Sequence, residues 1–248
     1  MSGHSKWATI KHKKGAADAK RGQMFTKLIK EISIAARLGG GDANSNPRLR
    51  TAVLKARTAN MPKDNIDRAI KKGLGELEGV SYSEITYEAY GPGGVAILVD
   101  VLTDNKNRTA AEIRNILNKG GGNLGEANSV AYLFKRKGII GFDASKYTED
   151  KVLEVALEAG AEDVSTEGDT IEVTTDPDEF ETVLAALEKA GLEHRSAEVA
   201  KVADVYITLN NEKTSKVIRL IENLDDNEDV QSVSSNIDIP DNYVPPEE

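Results

Sequence analysis

The chain has 248 residues and no cysteine, and its 32 Lys+Arg against 41 Asp+Glu give a formal net charge of -9. Zero cysteine excludes a disulfide scaffold, a thiol nucleophile and thiolate zinc, and the three histidines (His4, His12, His194) are too few to build a metal site instead. The N-terminus has no apolar leader and no run approaches the roughly 18 apolar residues of a bilayer span, so the expectation is a cytoplasmic protein with no membrane contact, metal or cofactor.

The average charge conceals a sharp division. Residues 1–72 carry 17 Lys+Arg and 5 Asp+Glu, a net +12, which leaves 15 Lys+Arg and 36 Asp+Glu, a net -21, for residues 73–248. A basic head on an acidic body is the asymmetry of a chain that meets nucleic acid or an anionic surface through one end. The alternative is a solvated basic surface that balances the acidic domains within the molecule.

In chain order, residues 1–17 form a basic arm with Lys6, Lys11, Lys13, Lys14 and one aromatic, Trp7, too poor in apolar side chains for a core of their own. From Asp18 to Leu38 a helical period gathers Phe25, Leu28, Ile29, Ile32, Ala35 and Ala36 in one arc and places Lys20, Lys27, Lys30 and Arg37 opposite. Asn46-Pro47 starts a second helix running to Asn60, with Leu49, Ala52, Val53 and Ala56 inward and Arg48/Lys55 and Arg50/Arg57 as basic edges. A third helix from Pro62 closes on Lys71-Lys72 before Gly73. These make a helical domain over 18–78.

Beyond the linker the pattern is a hairpin (85–90 and 95–99 about Gly91–Gly94) and a helix over 107–118. Strands at 130–134 and 138–142, a helix at 148–159, strands at 163–166 and 170–175, a helix at 177–190 and a strand near 195–199 follow, an alternation that reads as a ferredoxin-like sandwich. A strand at 205–209, a helix at 214–224 begun by Asn211 or Thr214, and a strand at 230–235 need a partner sheet. The fold class is therefore α+β: a three-helix domain followed by two ferredoxin-like α/β sandwich domains, the third (129–202) inserted into the second (79–128 and 203–240), with a polar tail at 241–248.

At this point the chain resembles the YebC family of bacterial proteins, related to a mitochondrial translational activator. The strings that carry the resemblance include Gly3-His4-Ser5-Lys6-Trp7, Asp18-Ala19-Lys20-Arg21-Gly22, Asn46-Pro47-Arg48-Leu49-Arg50, Asn60-Met61-Pro62-Lys63-Asp64-Asn65-Ile66, Tyr90-Gly91-Pro92-Gly93-Gly94 and Thr103-Asp104-Asn105-Lys106-Asn107-Arg108-Thr109. The resemblance implies three domains around a shallow cavity, no catalytic activity, and a regulatory role labelled as DNA-binding transcriptional regulation in some members and linked to the ribosome, at stretches such as proline runs, in others. Glu126-Ala127-Asn128 departs from the small residues expected before Ser129.

The expected nucleic-acid contacts are Lys6, Trp7, Lys11, His12, Lys13, Lys14, Lys20, Arg21, Lys27, Lys30, Arg37, Arg48, Arg50, Lys55, Arg57, Lys71 and Lys72, since cations neutralise phosphate without reading sequence and Trp7 either stacks on an unpaired base or anchors the arm. The glycine loops at 91–94 and 120–125 lack the Lys-Ser/Thr of a P-loop and read as tight turns, Asn107 reads as a helix cap, and Asp225–Asp229 reads as a solvated turn. The partner is DNA or ribosomal RNA, with the ribosome or a basic protein open to the acidic domains and a monomer expected. An enzyme or ligand sensor using the interdomain cavity is the distant alternative.

Overall fold

The computed structural model describes residues 18–240 and Tyr243. Three helices, α1 (Asp18–Gly39), α2 (Pro47–Thr58) and α3 (Lys63–Gly73), make the head. Then come β1 (Ser83–Tyr90), β2 (Ala96–Thr103), α4 (Lys106–Lys119) and the short β3 (Asn123–Leu124). A second α/β unit follows: β4 (Phe134–Asp143), α5 (Glu149–Glu158), β5 (Asp163–Glu167), β6 (Thr170–Thr175), α6 (Phe180–Lys189) and β7 (His194–Ala203). The chain ends with β8 (Ile207–Thr208), α7 (Asn211–Asp225), β9 (Val230–Ser235) and β10 (Ile237–Asp238).

Asn46 explains how the head holds together. Its side-chain oxygen accepts the Leu49 N–H at 3.1 Å, capping α2 with Pro47 in the first turn, where proline loses no bond. Its amide nitrogen donates to the Ala35 and Gly40 carbonyls, 2.8 Å each, so the start of α2 is tied to the end of α1. Ile32, Ala35, Ala36, Leu49, Ala52, Ala56, Ile66 and Ala69 then bury together, the alanines letting the helix axes approach.

The two sheets share one design. In the later unit the order is β5-β6-β4-β7, all antiparallel, so its first and third strands are central and the helices cover one face. In the earlier sheet the order is β3-β1-β2-β9, also antiparallel. Counted from β2, the path is strand, helix, edge strand, then after the intervening unit helix and edge strand. The remaining central strand, β1, precedes β2 instead of following β3. The connection from β3 to α7 is thereby left long. Ile97, Val99 and Val101 of β2 pack on Ile113 and Leu117 of α4 and on Val217, Leu220, Ile221 and Leu224 of α7, whereas Ala96 and Leu98 are buried on the other face by Val130 and Phe134.

The fold class stands as α+β, with several local corrections. The two strands expected at 130–134 and 138–142 are one, because Ala131–Leu133 form a single 3-10 turn and β4 pairs with β7 from Phe134 onward. The strand expected over 205–209 shrinks to two residues paired in parallel with β10. Helix α4 is capped by Asn105, which accepts from Arg108 N, so Asn107 is free to face solvent, and α7 is capped by Asn210 rather than begun by Asn211 or Thr214. At 91–94 Gly93 and Gly94 have φ of 78° and 81°, and Gly91 N–H bonds Val95 O at 2.7 Å, so the glycines close a hairpin.

Replacing Asn46 by Ala removes a cap and the two side-chain bonds that tie the start of α2 to the Ala35 and Gly40 carbonyls. Urea unfolding should show a loss of about 1–3 kcal/mol. A loss below ~0.5 kcal/mol would mean that the α1–α2 junction does not depend on this side chain.

Candidate nucleic-acid interface

The polar face of α1 does not look out on water. Lys27 reaches the Asp225 backbone carbonyl and lies 3.5 Å from its carboxylate, and Lys30, 8% exposed, donates to Glu228 O at 2.9 Å and to the Asp229 carboxylate at 2.6 Å. Asp229, 3% exposed, also accepts from Thr109 (2.6 Å), Arg108 (2.7 Å) and Thr103 (3.2 Å). Burial on its own pushes the Asp229 carboxyl up, yet the bonds from Arg108, Lys30 and Thr109 outweigh it and hold the group at about 2. The run Asp225–Asp229 is thus the socket for the head, a correction to its reading as a solvated turn.

The basic edges of α2 are engaged in the same way. Arg48 forks onto Glu31 (2.7 and 3.1 Å) and reaches Glu84 of β1 at 2.6 Å. Arg50 meets Glu181 of α6 at 2.5 Å, and Lys55 lies 3.7 Å from Glu198 of β7. Arg37 donates to Ser81 Oγ and Tyr82 O in the linker, at 2.5 and 2.6 Å. One helix therefore touches both acidic units, and the solvent-facing roles expected for Lys27, Lys30 and Arg48 give way to contacts inside the protein. The reason is that a second body covers the side of each helix opposite its own core.

Arg57, Lys71 and Lys72 are exposed and have no ion pair among the described residues, as is true of Lys63 and Arg68. Arg57 and Lys63 flank the entry to α3, and Arg68, Lys71 and Lys72 follow along it. Arg21 is exposed near the start of α1. Lys6, Trp7, Lys11, His12, Lys13 and Lys14, and the side chain of Lys20, lie outside the described residues. A recess of about 190 Å³ at the head–linker joint is lined by Ser33, Arg37, Lys72, Leu77, Val80 and Tyr82. It brings two cations to a rim of mixed polar and apolar side chains.

The open face of the earlier sheet carries three carboxylates, each answered by a different element. Glu84 takes Arg48 from the head, and Asp100 takes Lys201 of β7 at 2.6 Å together with Thr86 and Ser232. Glu88 accepts the N–H groups of Asn128, Val130 and Ala131 at 2.6–2.7 Å. Burial raises the Glu88 carboxyl, but these backbone donors win and set it below its ordinary value. The loop with Glu126-Ala127-Asn128 is fixed by this cradle and by Asn128 at φ 64°. Among the described residues there is no group of three or more His, Asp or Glu placed to hold a metal ion, and no helix long and apolar enough to cross a membrane.

A basic three-helix head thus meets two α/β units with antiparallel sheets through the buried Asp229 carboxylate and the more exposed Glu84, Glu181 and Glu198. A family model described as the TACO1/YebC protein N-terminal domain matches residues 5–76, and one described as the TACO1/YebC second and third domain matches residues 82–237. The chain belongs to the TACO1/YebC family. It is 64% identical over 247 residues to a protein of Treponema denticola named a probable transcriptional regulatory protein, covering all of both chains. It is 62% identical to a protein of the same name from Treponema pallidum strain Nichols, over 98% of this chain and 100% of that one. The crystal structure of a conserved hypothetical protein from Aquifex aeolicus superposes with a TM-score of 0.83 at 46% identity, covering 92% of this chain and 94% of that chain.

Because Asp229 titrates lower in the folded protein than an unfolded carboxyl at about 3.9, its contribution is complete above that value and lost as pH falls from about 4 toward 2. Asp229→Asn leaves Lys30 buried without its counter-charge and should cost about 3–5 kcal/mol at neutral pH, and the stability of the variant should fall less steeply between pH 4 and 2. Equal acid sensitivity in both proteins would show that another carboxylate controls the transition.

Proposed function

We propose that this chain is a non-enzymatic DNA-binding regulator of transcription acting in the cytoplasm, and that its N-terminal head and arm grip the phosphate backbone. The observation that carries the reading is the division of the head's cations. Lys27, Lys30, Arg37 and Arg48 are held by the body, while Arg57, Lys71 and Lys72 face solvent without an ion pair among the described residues. These cations stay exposed and unpaired although acids are in excess on the body, which leaves them available to phosphate, where each contact releases condensed counterions. The arm lysines, Trp7, His12, Lys20 and Arg21 extend the same contact.

Arg50 and Lys55 stand between the two sets. Their partners Glu181 and Glu198 are about half exposed, and such pairs contribute about 0–1 kcal/mol, little enough for phosphate to displace the carboxylates. The relatives named as probable transcriptional regulatory proteins support DNA as the polyanion. None of the head helices offers a distinctive base-reading face, so the binding is expected to depend more on salt than on sequence.

Changing Arg57, Lys71 and Lys72 to Glu should leave the melting temperature almost unchanged and flatten the slope of log affinity against log salt on duplex DNA by about 2–3. Changing Lys146, Lys151 and Lys189 to Glu alters net charge equally and should leave the slope alone. Equal loss in both variants would replace the local contact with a general charge effect.

A further inference from the structure

The acidic body carries a basic stripe of its own. Helices α4 and α7 lie side by side on one face of the earlier sheet. Two contacts fix their direction: a Cβ on Gly120, just past the end of α4, would lie 2.6 Å from Leu220 of α7, and Asn227 beyond α7 donates to Glu112 of α4 at 2.8 Å. The helices are therefore antiparallel, and Lys119 stands level with the turn of α7 that holds Lys216 and Arg219.

The outward face of α4 is Asn107, Ala111, Arg114, Asn115, Asn118 and Lys119, all exposed and none acidic. On α7 the exposed stripe is Glu212, Lys216, Arg219 and Asn223, and Glu212 is neutralised by Lys216 at 2.7 Å. Cations and amides with almost no carboxylate are unexpected in a region where acids outnumber bases 36 to 15. The start of α4 makes the point again. The positive end of a helix dipole favours Asp or Glu, yet the first turn holds no acid and begins with the exposed Lys106. Arg108 is accounted for by Asp229, but Lys106, Arg114, Lys119 and Arg219 have no ion pair among the described residues.

We infer that the α4–α7 helix layer is a second duplex-DNA surface, contacting the phosphate backbone through Lys106, Arg114, Lys119, Lys216 and Arg219. The inference rests on the DNA reading above and adds a site on a different domain. Charge complementarity selects the occupant: the stripe has no apolar anchor for a protein partner, whereas the lysine and arginine heads with asparagine amides between them suit phosphate oxygens. Two phosphate surfaces on one chain would let it hold two segments of duplex.

The test uses the full chain with a 12-base-pair duplex at low salt. Intact protein should bind two duplexes. Arg114→Glu/Lys119→Glu/Arg219→Glu should bind one, and the summed salt slope should fall by about 2–3 with the melting temperature kept. The Gln versions of the three should give a smaller loss in the same event, which guards against misfolding by charge reversal. The Arg57→Glu/Lys71→Glu/Lys72→Glu variant should retain the helix-layer event and lose the other. Two undiminished events in the α4–α7 variant, or a single event in intact protein that only the head variant removes, would overturn the second surface while leaving the head reading in place. Loss in neither variant would overturn both.

Discussion

The buried carboxylate of Asp229 is the point at which the three-helix head becomes part of the molecule. It receives Lys30 from α1 and Arg108 and Thr109 from α4, and its neighbour Asp225 receives Lys27. A charge taken out of water costs several kcal/mol, and an apolar contact of the same shape would hold the domains at least as tightly. What ionic closure adds is a fixed geometry: a planar carboxylate with four donors in set directions admits one orientation of α1 against the 225–229 turn. The rest of the charge pattern follows from that orientation, because it turns α2 so that Arg48 meets Glu84 and Arg50 and Lys55 meet the acids of the later unit.

The permuted strand order of the earlier sheet contributes to the same end. With β1 placed before β2, the hairpin leads straight out of the linker, and Glu84, Glu88 and Asp100 share the face away from the helices. Head, loop and β7 each send donors to one of these carboxylates. The open face of a sheet, normally left to water, becomes the junction of all three parts. On the opposite face lies the helix layer, where the basic stripe of α4 and α7 is exposed among the described residues.

Much of the local structure was legible in the sequence, and most of the long-range pairing was not. Asn46-Pro47, the apolar arc from Phe25 to Ala36 and the Gly91–Gly94 turn each announce themselves within a few residues, because caps, periods and turns are local physics. Lys30 could not be placed in this way. Its partner lies 199 residues on, and helical period shows only that it points away from its own core. A signal was present in Asp225-Asp226-Asn227-Glu228-Asp229, a concentration of acid against which a basic head must be balanced. The reading of β4 as two strands failed for a related reason: Lys135-Arg136-Lys137 looks like a loop until pairing with β7 supplies a ladder of nine residue pairs.

Under the proposed function the head's cations divide into those that close the molecule and those that meet phosphate. Lys30 separates the two most sharply, since it is buried on Asp229 yet lies on the face that sequence alone assigns to DNA. The direct measurement is the salt dependence of duplex-DNA affinity for Lys30→Met beside the intact chain, with the melting temperature of both. The account predicts a lower melting temperature and an unchanged salt slope. A slope flattened by about one unit at an unaltered melting temperature would mean that Lys30 contacts phosphate, and would contradict it.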